Sequence, residues 1–216
     1  FFFQKGTWIN FSYYFWLKNK ILKRSLLYFI TFCTCIVSFG KQTHEENLIS
    51  LSKSSGLSDS VSNYIEVIKG LTSSNPDSSL IYADRLEDFV SLRNFKIESG
   101  EKSRLYFFTG LANYNKNNYS KTRYLIEKSL NLGHIDTLEG HRYFYLALSH
   151  KKAGNYSQSA ELFMKSTRYF EDSKNYRGKI GVLINLSNVF AKTKQYPNAL
   201  KYLNEAQNSP SDKQGQ

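Results

Sequence analysis

Few side chains in this 216-residue chain are suited to chemistry. Histidine changes charge near neutral pH and is the commonest metal ligand; the chain has 4, His44, His134, His141 and His150. His141 and His150 fall on one predicted helix but stand nine residues apart, too far to ligate one metal from adjacent turns. No HExxH, no paired CxxC and no acidic calcium loop occurs, so no metal site is expected. Asp84, Glu87 and Asp88 share one side of another predicted helix, with Asp77 one face away. General acid–base work needs carboxylates gathered in this way, but so does an ordinary solvated helix face, which is the reading taken. None of the serines sits in a nucleophile elbow or beside a plausible base. Gly178 and Gly181 flank a predicted helix start rather than a strand-to-helix turn, so they make no phosphate loop. The residues predict neither an enzyme nor a cofactor site.

Charge and composition narrow the class. The formal net charge of +11 is uneven: residues 1–40 carry five Lys/Arg and no acid, whereas residues 41–216 hold 24 basic and 18 acidic residues. That mixed surface gives little reason to expect a nucleic-acid partner. The 16 Tyr and 16 Phe interleave with basic residues as in single-strand binders, but repeat packing accounts for many of them, and tyrosines that anchor turns are not expected to serve as stacking platforms. Residues 1–16 lack helical or strand period and are expected to be non-native or unstructured. Lys18, Lys20, Lys23 and Arg24 precede an apolar run from Leu26 to Phe39. This run is shorter than the ~20 residues of a bilayer span, and the small Ser38 and Gly40 stand where a signal peptidase cuts. Residues 17–40 are read as an export signal, with a short membrane anchor as the alternative; the chain would then be exported, periplasmic or membrane-associated. Cys33 and Cys35, inside the run, fit hydrophobic filler better than lipidation, because Phe32 and Thr34 precede them where a small residue is wanted. Loss of the signal would leave no cysteine for disulfide or thiol chemistry. Residues 41–60 read as a polar linker, and residues 209–216 as a tail expected to be truncated.

The elements that must position any site come from a repeat. From Val61 to Ala206 apolar residues recur at helical spacing with no competing alternation, which predicts an all-α region. Three stretches match one another: KNNYSKTRYLI from Lys116, AGNYSQSAELF from Ala153 and TKQYPNALKYL from Thr193. Each sets a turn-prone pair before a tyrosine (Tyr119, Tyr156, Tyr196) and a small residue three places on (Thr122, Ser159, Ala199). The tyrosines are 37 and 40 residues apart, room for one helical hairpin each. In the middle unit Tyr143, Leu146, Ala147 and His150 share one helix face, followed by Tyr156, Ser159, Phe163 and Ser166. The unit before offers Tyr106, Thr109, Gly110 and Asn113, then Tyr119, Thr122, Ile126 and Ser129. The unit after offers Leu183, Leu186, Ser187 and Phe190, then Tyr196, Ala199, Leu203 and Ala206. The small members let two helices approach, and Ile126, Phe163 and Leu203 fill the seam, each worth roughly 1.5–3 kcal/mol when buried. One hairpin cannot bury such a face alone, so neighbours must stack.

Over residues 103–208 this pattern resembles the tetratricopeptide repeat (TPR). The resemblance implies an all-α, right-handed solenoid of about four antiparallel helix pairs within residues 61–208. Its clear repeats fall at about 103–136, 140–173 and 180–208, with a degenerate first repeat at about 61–95. The spacing exceeds the family's usual unit, and the extra length is assigned to Tyr169–Ile180 as longer helices or a longer connection. No polar capping helix follows Ala206, which is read as a fragment of a longer protein or a last repeat docked on a partner. In this family the first helix of each repeat lines a concave surface that binds an extended peptide or a helix. The resemblance places there Phe107, Leu111, Tyr114 and Asn115; His141, Phe144, Leu148, Lys151 and Lys152; and Ile184, Asn188, Ala191 and Lys192. Such a surface is apolar and aromatic at one end and basic at the other, suited to a ligand with an apolar anchor and an acidic group; Lys151 and Lys152 read equally as solubilising charges. Phe107 replaces one lysine of the set with which chaperone-binding members hold a terminal carboxylate, so that specificity is not expected. The implied function is a protein–protein or peptide interaction scaffold without catalysis, cofactor or bound nucleic acid. Among exported members such an array is often the sensing region of a membrane-tethered signalling protein; the alternative is a stand-alone exported adaptor that assembles envelope proteins.

Overall fold

A computed structural model of the chain describes residues 56–133 and 137–210. The expectations for residues 1–40, most of the linker, His134 and the tail beyond residue 210 lie outside the described residues. The described part is built from eight helices: α1 (Leu57–Ser74), α2 (Pro76–Leu92), α3 (Ser99–Asn115), α4 (Tyr119–Leu130), α5 (Glu139–Lys152), α6 (Tyr156–Asp172), α7 (Tyr176–Lys192) and α8 (Tyr196–Asn208). They pair in sequence as α1/α2, α3/α4, α5/α6 and α7/α8, and no strand occurs among the described residues. First helices approach closely along the array, α1 to α3, α3 to α5 and α5 to α7, whereas second helices meet only through longer side chains, as where the Tyr202 hydroxyl on α8 donates to Met164 Sδ on α6 at 3.8 Å. The stack is thus tighter along the first helices, which form its inner side.

One turn chemistry is used four times. The segments Lys116–Asn118, Ala153–Asn155, Ser173–Asn175 and Thr193–Gln195 each join two helices in three residues. The middle residue of each is left-handed: Asn117 at φ 61°, Gly154 at 81°, Lys174 at 56° and Lys194 at 60°. The third residue's N–H donates back five places, Asn118 to Asn113 O at 2.9 Å, Asn155 to His150 O at 3.0 Å, Asn175 to Phe170 O at 2.8 Å and Gln195 to Phe190 O at 2.8 Å. This is the Schellman closure that satisfies a helix's last carbonyls. Asn118 and Asn175 then cap the next helix, accepting from Lys121 N at 3.3 Å and Gly178 N at 2.8 Å. A tyrosine follows every copy. The third copy, KNY at Lys174–Tyr176, corrects the sequence reading: α7 starts at Tyr176, so Gly178 and Gly181 lie inside it rather than flanking its start. The added length between Tyr156 and Tyr196 is helix, since α6 and α7 each run 17 residues around a short turn. Likewise α1 starts at Leu57, inside the stretch expected to be linker.

The small residues of the pattern do more than permit close approach. In each pair a hydroxyl crosses from one helix to a carbonyl of the other: Ser79 Oγ to Ile68 O at 2.9 Å, Thr122 Oγ1 to Gly110 O at 3.2 Å, and Ser159 Oγ to Ala147 O at 2.9 Å. The last pair runs in reverse, Ser187 Oγ on α7 donating to Ala199 O on α8 at 2.8 Å. The hydroxyl has exchanged places with the alanine, and the bond persists. Close approach is tightest at Phe170, whose ring lies where a Cβ on Gly140 or Gly178 would come within 2.9 and 2.8 Å. The apolar core runs through the stack from Ile65 and Ile68 past Phe108, Ile126, Leu146 and Phe163 to Leu186 and Val189. Seam positions Ile126 and Phe163 are 0% exposed, but the equivalent Leu203 is 47% exposed, so it does not fill a seam among the described residues.

Candidate functional site

On the inner side, α3, α5 and α7, with the first residue of α6, bring one residue set around a hollow of ≈740 Å³: Tyr114, Leu148, Lys151, Lys152, Tyr156, Asn185, Asn188, Ala191 and Lys192. The helical period is why they meet. Leu148, Lys151 and Lys152 are i, i+3 and i+4 on α5, and Asn185, Asn188 and Lys192 are i, i+3 and i+7 on α7. One wall is aromatic. Tyr114 packs edge-on against Tyr145 at 5.4 Å between centroids and against Tyr119 at 5.5 Å, and Tyr145 meets Phe144 at 5.4 Å. Burial pushes the Tyr114 and Tyr145 hydroxyl pKa values up, so both phenols stay neutral donors. The other wall is cationic. The Lys151 ammonium donates to the Asn185 amide oxygen at 2.6 Å and lies 5.9 Å from the Phe163 ring centroid. Asn185 is oriented by its own amide N–H donating to Gly181 O at 2.9 Å. Burial, and then the neighbouring Lys152, lower the Lys151 pKa.

Of the residues placed here by resemblance, Tyr114, Leu148, Lys151, Lys152, Asn188, Ala191 and Lys192 are brought together. The others go elsewhere. Phe107 is 2% exposed, packed on Phe108 at 5.2 Å with the Arg142 guanidinium 5.6 Å from its ring, and is core rather than surface. Asn115 donates its amide to Thr72 O at 2.7 Å, completing the end of α1. His141 lies at the start of α5, edge-on to Phe170 at 4.8 Å, with its pKa lowered by burial and by Arg142. Phe144 is half-buried against Phe163 at 5.8 Å, a member of the core wall. Leu111 is half-buried and Ile184 is 43% exposed, and neither lines the hollow. Two lining residues were missed. Tyr156 was expected only to anchor a turn, yet it lines the hollow; Asn185 was legible as one helical turn before Asn188.

The remaining candidates for chemistry stay apart. His150 is buried, with neither ring nitrogen hydrogen-bonded among the described residues, and burial followed by Arg123 lowers its pKa. Asp77, Asp84, Glu87 and Asp88 are exposed. Among the described residues no cluster of three His, Cys, Asp or Glu could hold a metal ion, and no helix is long and apolar enough to cross a membrane.

Stacked helix pairs, one recurring turn and an inner hollow define an all-α, TPR-like solenoid. No family model matches the chain, and no curated protein matches it. Among solved structures it is similar to two described as crystal structures of MamA, each at 16% identity and a TM-score of 0.53. The match covers 68% of this chain and 75% and 70% of those chains. At that identity the likeness is one of fold.

Proposed function

We propose that this chain is a protein-interaction scaffold that holds a segment of a protein partner in the hollow between α5 and α7. The observation that carries this reading is the lining itself. Lys152, Asn188, Ala191 and Lys192 are exposed around the hollow and form no part of the core, while Tyr114, Leu148 and Tyr156 supply an apolar wall. An apolar wall with a few convergent polar groups is the usual composition of a binding site. The hollow lies on helices fixed by the stack, so a ligand meets a preformed surface. No constellation for catalysis accompanies it, and the reading is of binding without turnover. With the export signal read at residues 17–40, the scaffold would work outside the cytoplasm as the sensing region of an exported or membrane-tethered signalling protein; a fusion of these residues to a reporter active only after export tests that placement.

Selection of a random peptide library on the purified chain tests the site. Binders are expected to lose at least about tenfold in affinity for Asn188→Trp, which fills the hollow from an exposed position. Peptides that bind this variant and the parent equally, or a library that yields no binder, would overturn the reading.

A further inference from the structure

We infer that the segment taken into this hollow is acidic: a peptide stretch carrying several Asp or Glu side chains around one aromatic or large apolar residue. This rests on the reading of the hollow as a binding site. Lys151, Lys152 and Lys192 reach the hollow from two neighbouring helices, and no carboxylate is among its lining residues. Elsewhere three cations that reach across helices meet acids, while Arg123 on α4 reaches Ser149 O on α5 at 3.4 Å. Arg104 on α3 pairs with Glu66 on α1, and Lys116 pairs with Asp77 on α2. Lys179 on α7 meets Glu171 at 2.9 Å and Glu205 at 3.3 Å, one on each neighbouring helix. Lys151, half-buried, gives its ammonium to a neutral amide oxygen, and among the described residues none of the three lysines has a carboxylate partner. Like charges gathered around a low-dielectric wall repel and focus a positive potential outward.

The shape of the site chooses among anions. One terminal carboxylate compensates one ammonium of three, whereas a run of acidic side chains compensates them all. A phosphate backbone carries its charge along its whole length and needs a continuing basic track, but here the cations are confined to one hollow beside an aromatic wall. Tyr114, Leu148 and Tyr156 offer a surface for an aromatic or aliphatic residue, and the exposed Asn188 amide can both donate to and accept from a peptide backbone. The lowered Lys151 pKa agrees with this: burial and Lys152 disfavour its charge, and an arriving carboxylate would oppose both.

The test is fluorescence anisotropy on the full chain with a labelled peptide of mixed Glu and Asp around a central Phe. Its controls are the Gln/Asn version, a C-terminally amidated version and oligothymidylate. The acidic peptide is expected to bind at least about tenfold tighter than its Gln/Asn version. It should weaken by a similar factor in the triple variant Lys151→Gln, Lys152→Gln, Lys192→Gln and between about 0.05 M and about 0.5 M salt. Amidation should change little, and oligothymidylate should not compete. All three substitutions sit on the rim of the hollow, and circular dichroism verifies that the variant is folded. Equal binding of the acidic and Gln/Asn peptides, both abolished by Asn188→Trp, would overturn the acidic ligand and leave the binding site standing. Acidic-peptide binding untouched by Asn188→Trp would overturn both. No binding of the acidic peptide, strong loss on amidation, or displacement by oligothymidylate would each overturn the inference.

Discussion

Ile126 and Leu203 hold the same place in the second and last repeats and differ chiefly in what stacks on them, so truncating each to Ala measures the stacking. Ile126, on α4, is 0% exposed, and its Cγ1 lies 3.0 Å from the position a Cβ would take on Gly110. Removing three carbons forfeits about 2.4 kcal/mol of transfer free energy at ~0.8 kcal/mol per carbon. The close backbone on α3 limits collapse; a residual cavity of about 60 Å³ at ~24 cal/mol per Å³ adds about 1.5 kcal/mol. The expected cost is about 4 kcal/mol, a large share of a domain's stability. Leu203, on α8, is 47% exposed. Only about half its transfer term applies and water occupies the space left, so Leu203→Ala should cost about 1 kcal/mol. Urea denaturation followed by far-ultraviolet circular dichroism measures both, with tyrosine fluorescence to verify that the array unfolds as one unit. Equal costs would refute the reasoning, because Leu203 would then be covered as fully as Ile126.

Three further outcomes are expected. Ser187→Ala removes the crossing hydroxyl of the last pair and should cost about 1 kcal/mol, while adding Ala199→Ser, which restores the direction used in the other pairs, should recover most of the loss in thermal melting. Lys174→Gly and Lys194→Gly relieve left-handed backbone and should each stabilise by about 0.5–1 kcal/mol, whereas Gly154→Ala should destabilise by about 1 kcal/mol, read from denaturation midpoints. His141 and His150 are both held below the ordinary histidine pKa by burial. The unfolded chain therefore binds more protons than the folded one at mildly acid pH. Stability is complete above about pH 6.5 and falls as the pH drops through the unfolded pKa toward the lower folded values. A melting temperature that declines less between about pH 7 and about pH 5 in the double variant His141→Gln, His150→Gln than in the parent checks this.

The fold was legible because stacking imposes a period that survives low identity. Tyr143, Leu146, Ala147 and His150 had to share a face for α5 to pack at all, and the hollow's lysines and Asn188 follow from the same period on the next face. The start of α7 was read late for a definable reason. Tyr119, Tyr156 and Tyr196 mark turns within hairpins, and the KNY turn between α6 and α7 uses the same chemistry at a junction between repeats. Phe107 was misplaced because register alone cannot say how far the inner side is filled. Phe107, Phe144 and Ile184 are equivalent positions, yet they run from 2% exposed through half-buried to 43% exposed along the array. The hydroxyl crossings were not legible either, since Gly, Ala, Ser and Thr all satisfy a requirement for small size.

That gradient also explains where the hollow opens. Between α3 and α5 the inner side is closed by large rings: Phe107 lies 6.3 Å from Tyr145, which meets Tyr114 at 5.4 Å. One repeat further on, α7 presents Asn185, Asn188 and Ala191 toward Leu148 and Lys151. Apart from the Lys151–Asn185 hydrogen bond at 2.6 Å, those side chains leave the gap unfilled, and the space remains as the hollow. Aromatic filling on one side supplies the rigid wall, and its absence on the other supplies the volume. The same change brings Lys151, Lys152 and Lys192 to one rim without an acid between them. A site of this kind needs no departure from the repeat; it needs only that three positions on one helix stay small and that their neighbours carry charge.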